Sequence, residues 1–505
     1  MLNPDFVSLE RRLRPAALFL GCGALVLLML AHNPFLLAAA LALGVGVGIA
    51  SRWPELATLA VVCFLYSNVG GIATQLYGVP SLVAGSASLL LLIPLTDQLF
   101  LRQENLVADR TFIWMFMFLF ALLISSVFAK DLKVAVGWTA NFVVEGLVLY
   151  WLVVNVVRRP STLRRIIWVL LLTGALLGAL SLFQEVTHSY ENQFGGLAQR
   201  NRLFVTKETA PDERVRTGDR AQGPLGDPNR YAQILLMILP LAFFQYWVAR
   251  HRWKRIVAAA IGLLILSGIL LSYSRGAFVT IVVVILLAPL LRMIRPSRGL
   301  AAVGGLVIMA LFAAPGYLTR LETLWGVEGL FSRQAEIEPE AVIRGRTTEM
   351  LAALMVFLDH PLLGVGPGNY TPFYSMEYQL NPAVAFRDLP KPRRAHTLYF
   401  ELAAETGLIG LCLFMAIVGS MLRRLWVARS RMREAHPDLA GLATAFFFGI
   451  VCYLGTALFL HMSYQRYYWL LLGLAGAALR IFQAREKAPV DAALEPMAWT
   501  GGAGS

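Results

Sequence analysis

Three polar side chains sit where an apolar chain least favours them, and their types suit anion and acid–base chemistry. Arg220 falls in Asp219–Arg220–Ala221–Gln222–Gly223–Pro224–Leu225–Gly226–Asp227–Pro228–Asn229. Asp227 followed by Pro228 reads as an N-cap with proline in the first helical position, so Arg220 lies just ahead of a helix start. Arg275 falls in Ser272–Tyr273–Ser274–Arg275–Gly276, a tight turn between two long apolar runs. His396 follows Arg393, Arg394 and Ala395 at the entry to another apolar run. Arginine is the preferred bidentate partner of phosphate, and two arginines can clamp a pyrophosphate. A histidine titrating near ~6.5 suits general-base work at neutral pH. Taken singly, each also has a plain structural reading, as a snorkelling arginine or an interfacial polar residue. Arg344, Arg346, Arg387, Lys391, Arg393 and Arg394 concentrate more positive charge ahead of His396. Glu401 and Glu405 follow it on a helix, and Glu405, about 13 Å in at helical rise, reads as a structural counter-ion for an arginine.

Other chemistries find little support. Gly364, Gly366 and Gly368 lack a preceding strand and a following Lys-Ser/Thr, so neither dinucleotide nor P-loop binding is indicated. There is no Asp-x-Asp motif, and no serine lies in a Gly-x-Ser-x-Gly context. Cys22, Cys63, Cys412 and Cys452 fall inside apolar runs without metal-ligand spacing. No cofactor is expected.

The elements that must position these residues are membrane spans. Of 505 residues, 57% are hydrophobic and 15% charged, against roughly 45–50% and about 25% in soluble domains. Apolar runs approaching the ~20 residues that cross a bilayer recur along the chain. They lie at 16–31, 35–50, 55–69, 81–100, 111–128, 134–157, 166–186, 229–248, 255–273, 276–292, 299–318, 397–422, 439–461 and 465–482. The expected fold is all-α and polytopic, with about 12–14 transmembrane helices. The second and third runs are short enough to be re-entrant or tilted. The net charge of +13 is scattered in clusters between spans, which speaks for topology and against nucleic acid.

Arginine clusters such as Arg158, Arg159, Arg164 and Arg165, or Arg250, Arg252, Lys254 and Arg255, alternate with connections nearly free of them. The positive-inside rule then makes both termini cytoplasmic and turns the long loops 187–228 and 319–396 outward. The organisation expected is N-terminal helices over 1–186, a first outward loop over 187–228, central helices over 229–318 and a large outward loop over 319–396. C-terminal helices over 397–482 and a disordered tail over 483–505 complete it. In the large loop, Val342, Ile343, Met350, Leu351, Leu354, Phe357 and Leu358 recur at helical spacing. They predict an amphipathic helix over Glu340–Asp359, ended by Pro361 and followed by a tight glycine loop.

The combined order of motifs resembles a known family. Arg220-x-x-Gly223-(x)3-Asp227-Pro228-Asn229 precedes one helix, and Ser274-Arg275-Gly276 opens the second helix after it. Gly345-Arg346 lies in the large loop, followed by His360-Pro-Leu-Leu-Gly-Val-Gly-Pro-Gly-Asn-Tyr370. His396-Thr-Leu-Tyr399-(x)5-Glu405-Thr-Gly-Leu-Ile-Gly410 completes the set. Residues 215–420 thereby resemble the O-antigen ligase and polymerase superfamily, bacterial envelope glycosyltransferases of the GT-C type. The resemblance implies a bacterial inner-membrane enzyme with a periplasmic site and an undecaprenyl-diphosphate-linked glycan as donor. The acceptor would be lipid A-core for a ligase, another lipid-linked repeat for a polymerase, or protein for some relatives. By motif position, Arg220, Arg275 and His396 correspond to the family's critical residues. Arg346, Arg344, Tyr399 and Asn229 are candidate substrate contacts, and Thr397 stands where the family has asparagine.

On this reading the transfer is inverting and metal-independent. The two arginines would stabilise the departing diphosphate while His396 activates the acceptor hydroxyl. A lipid-linked glycan transporter is the rival. It is disfavoured because transporters place charges at mid-membrane in broken helices, whereas these sit at the outer edge and in loops.

Overall fold

The computed structural model describes residues 52–79, 90–101, 103, 105–207, 210–292, 297, 304–305, 341–384, 391–461 and 465–486. The runs at 16–31 and 35–50, all of 299–318 but residues 304–305, the first part of 81–100, Arg387 and the tail beyond 486 lie outside the described residues.

The protein is an all-α polytopic membrane protein. Among the described residues, seven helices are long and apolar enough to cross a membrane, and one bent helix pair makes up to eight. In chain order the helices begin with α1 (Pro54–Tyr66), α2 (Val69–Tyr77), α3 (Leu92–Thr96) and α4 (Arg110–Val127). Next come α5 (Leu132–Val156, with a π-helical stretch at Phe142–Val148) and α6 (Pro160–Thr187). After a hairpin come α7 (Pro228–Val248), α8 (Arg252–Leu271) and α9 (Arg275–Leu290). The large loop holds α10 (Ala341–Asp359) and α11 (Ser375–Gln379), and α12 (Leu398–Met432), α13 (Pro437–Thr456) and α14 (Gln465–Glu486) follow.

Local chemistry sets the helix starts. Asp109, Asp131 and Asp227 cap α4, α5 and α7, each side chain accepting from a first-turn backbone amide, and Ser274 caps α9 in the same way. Pro54, Pro160, Pro228 and Pro437 occupy first helical positions, where a missing N–H costs nothing. The run at 55–69 is a broken pair, α1 and α2, bent by 51°. Its break is Asn68, at a left-handed φ of 56°, whose amide donates to the Pro224 carbonyl at 2.7 Å. Aromatic rings lock the middle of the bundle. Phe118 meets Phe142 at 5.1 Å, Phe142 meets Trp469 at 5.4 Å, and Tyr453 stacks on Tyr468 at 4.6 Å.

Consecutive spans alternate in direction and give the bundle two polar ends. At one end Arg424 pairs with Asp109 at 2.6 Å, Arg431 pairs with Glu486 at 3.2 Å, and Asn155 accepts from Val107 N. At the other end Ser125 Oγ reaches the carbonyls of Leu363 and Glu405, and Leu398 N donates to the Ala457 carbonyl. This second end carries the hairpin, the turn between α8 and α9, and everything described from 341 to 397.

Two elements go beyond the sequence reading. The loop 187–228 contains an antiparallel hairpin, β1 (Gln199–Lys207) and β2 (Ala210–Gly223), with Asn201 opposite Arg220. Arg200 roots it in the bundle, with Nε donating to Gln184 and Nη2 to the Ser181 carbonyl, both at 2.9 Å. The amphipathic helix exists as α10, but its protein-facing stripe is Thr348, Glu349, Ala352, Ala353 and Val356. The larger Met350, Leu351, Leu354 and Phe357 are only half-buried, and Leu358 is exposed. Small residues let two helices approach closely, so they face α12 while the bulky ones turn away.

The glycine loop after α10 forms a seam with α12. Gly407, at φ 65° and ψ −167°, breaks α12, and the freed backbone groups bond to the loop instead of to one another. Val365 N and Gly366 N each donate at 2.9 Å, to the Ala404 and Glu405 carbonyls, while Leu408 N donates to the Pro361 carbonyl at 2.8 Å. Irregular backbone within a span is tolerated only when protein satisfies it in this way. A Cβ on Gly407 would lie 2.2 Å from the Leu362 carbonyl, and its backbone region is essentially glycine-only. Gly407→Ala is therefore expected to destabilise the fold by at least about 1–3 kcal/mol, read as a lowered unfolding midpoint in detergent.

Candidate active site

The site assembles from three stretches distant in sequence. The first is the junction of β2 and α7. Arg220 Nε donates to the Ser272 carbonyl at 2.8 Å and Nη2 to Asn229 Oδ1 at 3.1 Å, with the Tyr273 carbonyl 3.4 Å from Nη2. Arg220 thus grips the turn that presents Arg275, and Asn229 orients the guanidinium from below. Tyr273 in that turn has a positive φ of 50°, a strained conformation for a bulky residue.

The second stretch is the approach to α12. His396 also has a positive φ, 49°. Glu401, one turn into α12, fixes the residues before it. Arg394 Nε donates to Glu401 Oε1 at 2.9 Å, and Ala395 N donates to Oε2 at 3.3 Å. The arginine counter-ion is therefore Glu401. Glu405, expected in that role, turns its carboxylate toward the Gly368 and Tyr370 amides, with Arg394 acting on it only through its charge. Arg394 also lies over the Trp138 ring at 4.9 Å.

The third stretch is α10. Glu349, only 1% exposed, places Oε2 at 3.5 Å from His396 Nε2 and Oε1 at 3.5 Å from Arg393 Nη1. Arg346 lies one turn earlier and acts on His396 through its charge. Arg344 is half-buried, and its Nε has no hydrogen-bond partner among the described residues.

Three participants have no counterpart in the sequence reading: Glu349, Arg230 and His461. His461, past the end of α13, meets the His396 ring with centroids 5.5 Å apart, and its Nε2 contacts Arg230 Nη2. The same segment reaches the Arg275 turn, because a Cβ on Gly276 would lie 2.8 Å from the Phe459 ring. Arg275 and His396 are thereby joined through residues 457–461. Arg230 carried a weak signal, a cation in the first turn of a helix, where the macrodipole disfavours it. Tyr399 stands apart, its hydroxyl donating to the Leu454 carbonyl at 2.9 Å and fastening α12 to α13.

The electrostatics favour a neutral imidazole. Burial, then the charge of Arg346, lowers the His396 pKa to about 4, with Arg393 and Arg230 adding to the shift and Asp227 opposing it. Burial, then Arg394, Arg230 and His396, pushes His461 far below its ordinary value. Nδ1 of both rings is buried without a hydrogen-bond partner among the described residues. With Nε2 of His396 facing a carboxylate, the favoured tautomer carries its proton there and leaves Nδ1 as the open acceptor. The site thus joins a strongly cationic wall to one uncommitted proton acceptor. That combination suits binding an anion beside a hydroxyl.

Residues 260–415 match the family model described as O-antigen ligase, and this supports the O-antigen ligase superfamily for the chain. Proteins of this family are glycosyltransferase-like enzymes. The matched stretch holds Arg275, Arg344, Arg346, Glu349 and His396, whereas Arg220, Asn229, Arg230 and His461 lie outside it. No curated protein matches the chain.

Proposed function

From an O-antigen ligase domain at residues 260–415, we propose that the protein transfers a glycan from undecaprenyl diphosphate to a hydroxyl of lipid A-core at the periplasmic face of the inner membrane. The observation that carries this reading is the convergence of Arg220, the turn bearing Arg275, Arg346 and His396 at one end of the bundle. The opposite end holds Arg158, Arg159, Arg164 and Arg165, which the positive-inside rule makes cytoplasmic.

In the proposed step, Arg275 and Arg346 hold the donor diphosphate while Arg220 keeps the Arg275 turn in place. The acceptor hydroxyl loses its proton to His396 Nδ1 as its oxygen bonds to the anomeric carbon. The bond from that carbon to the diphosphate oxygen breaks with inversion, and undecaprenyl diphosphate leaves with the bonding electrons. Arginine charge meets the negative charge growing on the leaving group. Glu349 steadies the imidazolium that forms, as a carboxylate does behind the histidine of a hydrolase triad.

Two expectations follow from the geometry. Glu349→Gln keeps the side-chain volume but not the charge, and should lower kcat about tenfold, near 1.4 kcal/mol, with donor KM little changed. Steady-state kinetics over donor concentration checks this. The pH expectation concerns His396, which reacts only when neutral. In the free protein it titrates near 4, so kcat/KM should stay flat between pH 5 and 8 as far as this group decides it. A bound diphosphate offsets Arg346 and raises the imidazole pKa, so the acid limb of kcat should lie at higher pH than that of kcat/KM. The stability sign is the same. As pH falls from ~6.5 towards 4, the unfolded chain takes up the proton first and this group's contribution is lost.

The test of function uses purified protein with undecaprenyl-diphosphate-linked glycan, with and without lipid A-core. New product only in the presence of lipid A-core supports ligation. Longer lipid-linked chains in its absence would make the protein a polymerase, and no product in either arm would overturn ligation to lipid A-core and turn the reading to another acceptor or to a transporter.

A further inference from the structure

At the end of the bundle opposite His396, a groove of about 970 Å³ opens between α4 and α14, floored by α12. Its walls are mainly apolar: Trp114 and Met117 on α4, Val427 on α12, and Leu479 and Phe482 on α14. Four guanidinium groups rim its polar end, from Arg110, Arg423, Arg424 and Arg431. Two of them are matched within the protein. Arg424 bonds Asp109 at 2.6 Å and Thr111 at 2.9 Å, and Arg431 pairs with Glu486 at 3.2 Å. Arg110 and Arg423 are exposed and form no ion pair among the described residues.

We propose that this groove binds an anionic phospholipid, with an acyl chain along Trp114, Met117 and Phe482 and the headgroup phosphate between Arg110 and Arg423. Solvated arginines at a membrane surface need no partner. Here, however, two exposed guanidinium groups without an ion-pair partner among the described residues border an apolar trough at the polar end of the spans. Basic pockets between transmembrane helices on the cytoplasmic side take phospholipid headgroups for this reason. A phosphate bound there gains from bidentate arginine contacts, while the acyl chain covers side chains such as Ile113 (54% exposed) and Met117 (45% exposed). The site is separate from His396 and does not depend on the reaction proposed there.

The groove is tested on the full-length protein in a neutral detergent. Phosphatidylglycerol, phosphatidylcholine and soluble glycerol phosphate are added separately, and the thermal unfolding midpoint is followed. Phosphatidylglycerol should raise the midpoint by a few degrees, and the other two should not. The double variant R110Q/R423Q should lose this rise and keep the lipid-free midpoint, since both side chains are exposed. An equal rise with phosphatidylcholine, a rise with glycerol phosphate alone, or an undiminished rise in the variant would overturn the proposal. Should the double variant fail to fold, phosphatidylglycerol brominated on its acyl chains supplies the second measurement. It should quench the wild-type protein more than W114F, and equal quenching of the two would also overturn the proposal.

Discussion

His396→Ala should lower glycan transfer by about 10²–10⁴-fold, with binding of the lipid-linked donor largely retained. The size follows from the role: no other neutral group described in the site offers an uncommitted proton acceptor, and the nearest imidazole is that of His461. His461 cannot take over, because its Nε2 is committed to Arg230 and its basicity is pushed far down by burial, by Arg394 and Arg230, and by the neighbouring His396 ring. His396→Gln gives a sharper contrast. Glutamine can hold an acceptor hydroxyl by hydrogen bonding but cannot carry a proton away, so it should be as inactive as alanine in turnover. Single-turnover transfer, measured beside equilibrium donor binding, separates the two steps. Retained transfer in the alanine variant would defeat the base assignment.

Arg275→Ala should lower kcat by about 10²–10³-fold and weaken donor binding, because in the proposed step it removes a charge that holds the diphosphate. Arg220→Ala should produce a different pattern. Its guanidinium is engaged with Ser272, Tyr273 and Asn229, so its loss releases the strained turn that carries Arg275. Donor binding and kcat should fall together, and the unfolding midpoint should drop as well. Lysine at 220 cannot reproduce the forked contacts and should recover little. Lysine at 275 keeps the charge and should recover part of the donor affinity. Identical behaviour of the two arginine positions in stability would remove the distinction between clamp and ligand.

The spans were legible because hydrophobicity sustained over a bilayer's thickness leaves few alternatives. Helix starts at Asp227–Pro228 and Ser274 were legible for the same kind of local reason, since a cap needs only its own first turn. The hairpin was not. Gln199–Lys207 and Ala210–Gly223 carry charge at many positions, so no period of two stands out. The inward face of α10 was not legible, because periodicity marks the bulky apolar side and close packing on α12 takes the small one. Arg220, Arg275, Arg346 and His396 were singled out through their motifs. Glu349 and His461 were not, because burial and proximity define them. The contact of Arg230 with His461 spans 231 positions of sequence, and no local pattern encodes it.

The seam between the Pro361–Gly366 loop and the broken α12 has a consequence for how the site can open. Its cross-bonds join the two segments into one mechanical unit, so this stretch of the large loop cannot swing away without tearing the span itself. A lid, if substrates need one, must come from elsewhere in the loop, and His396 waits on a frame already set before either substrate arrives. Amide exchange would show this as a ranking. Val365, Gly366 and Leu408 should exchange as slowly as the interior of α12, even though two of them belong to a loop.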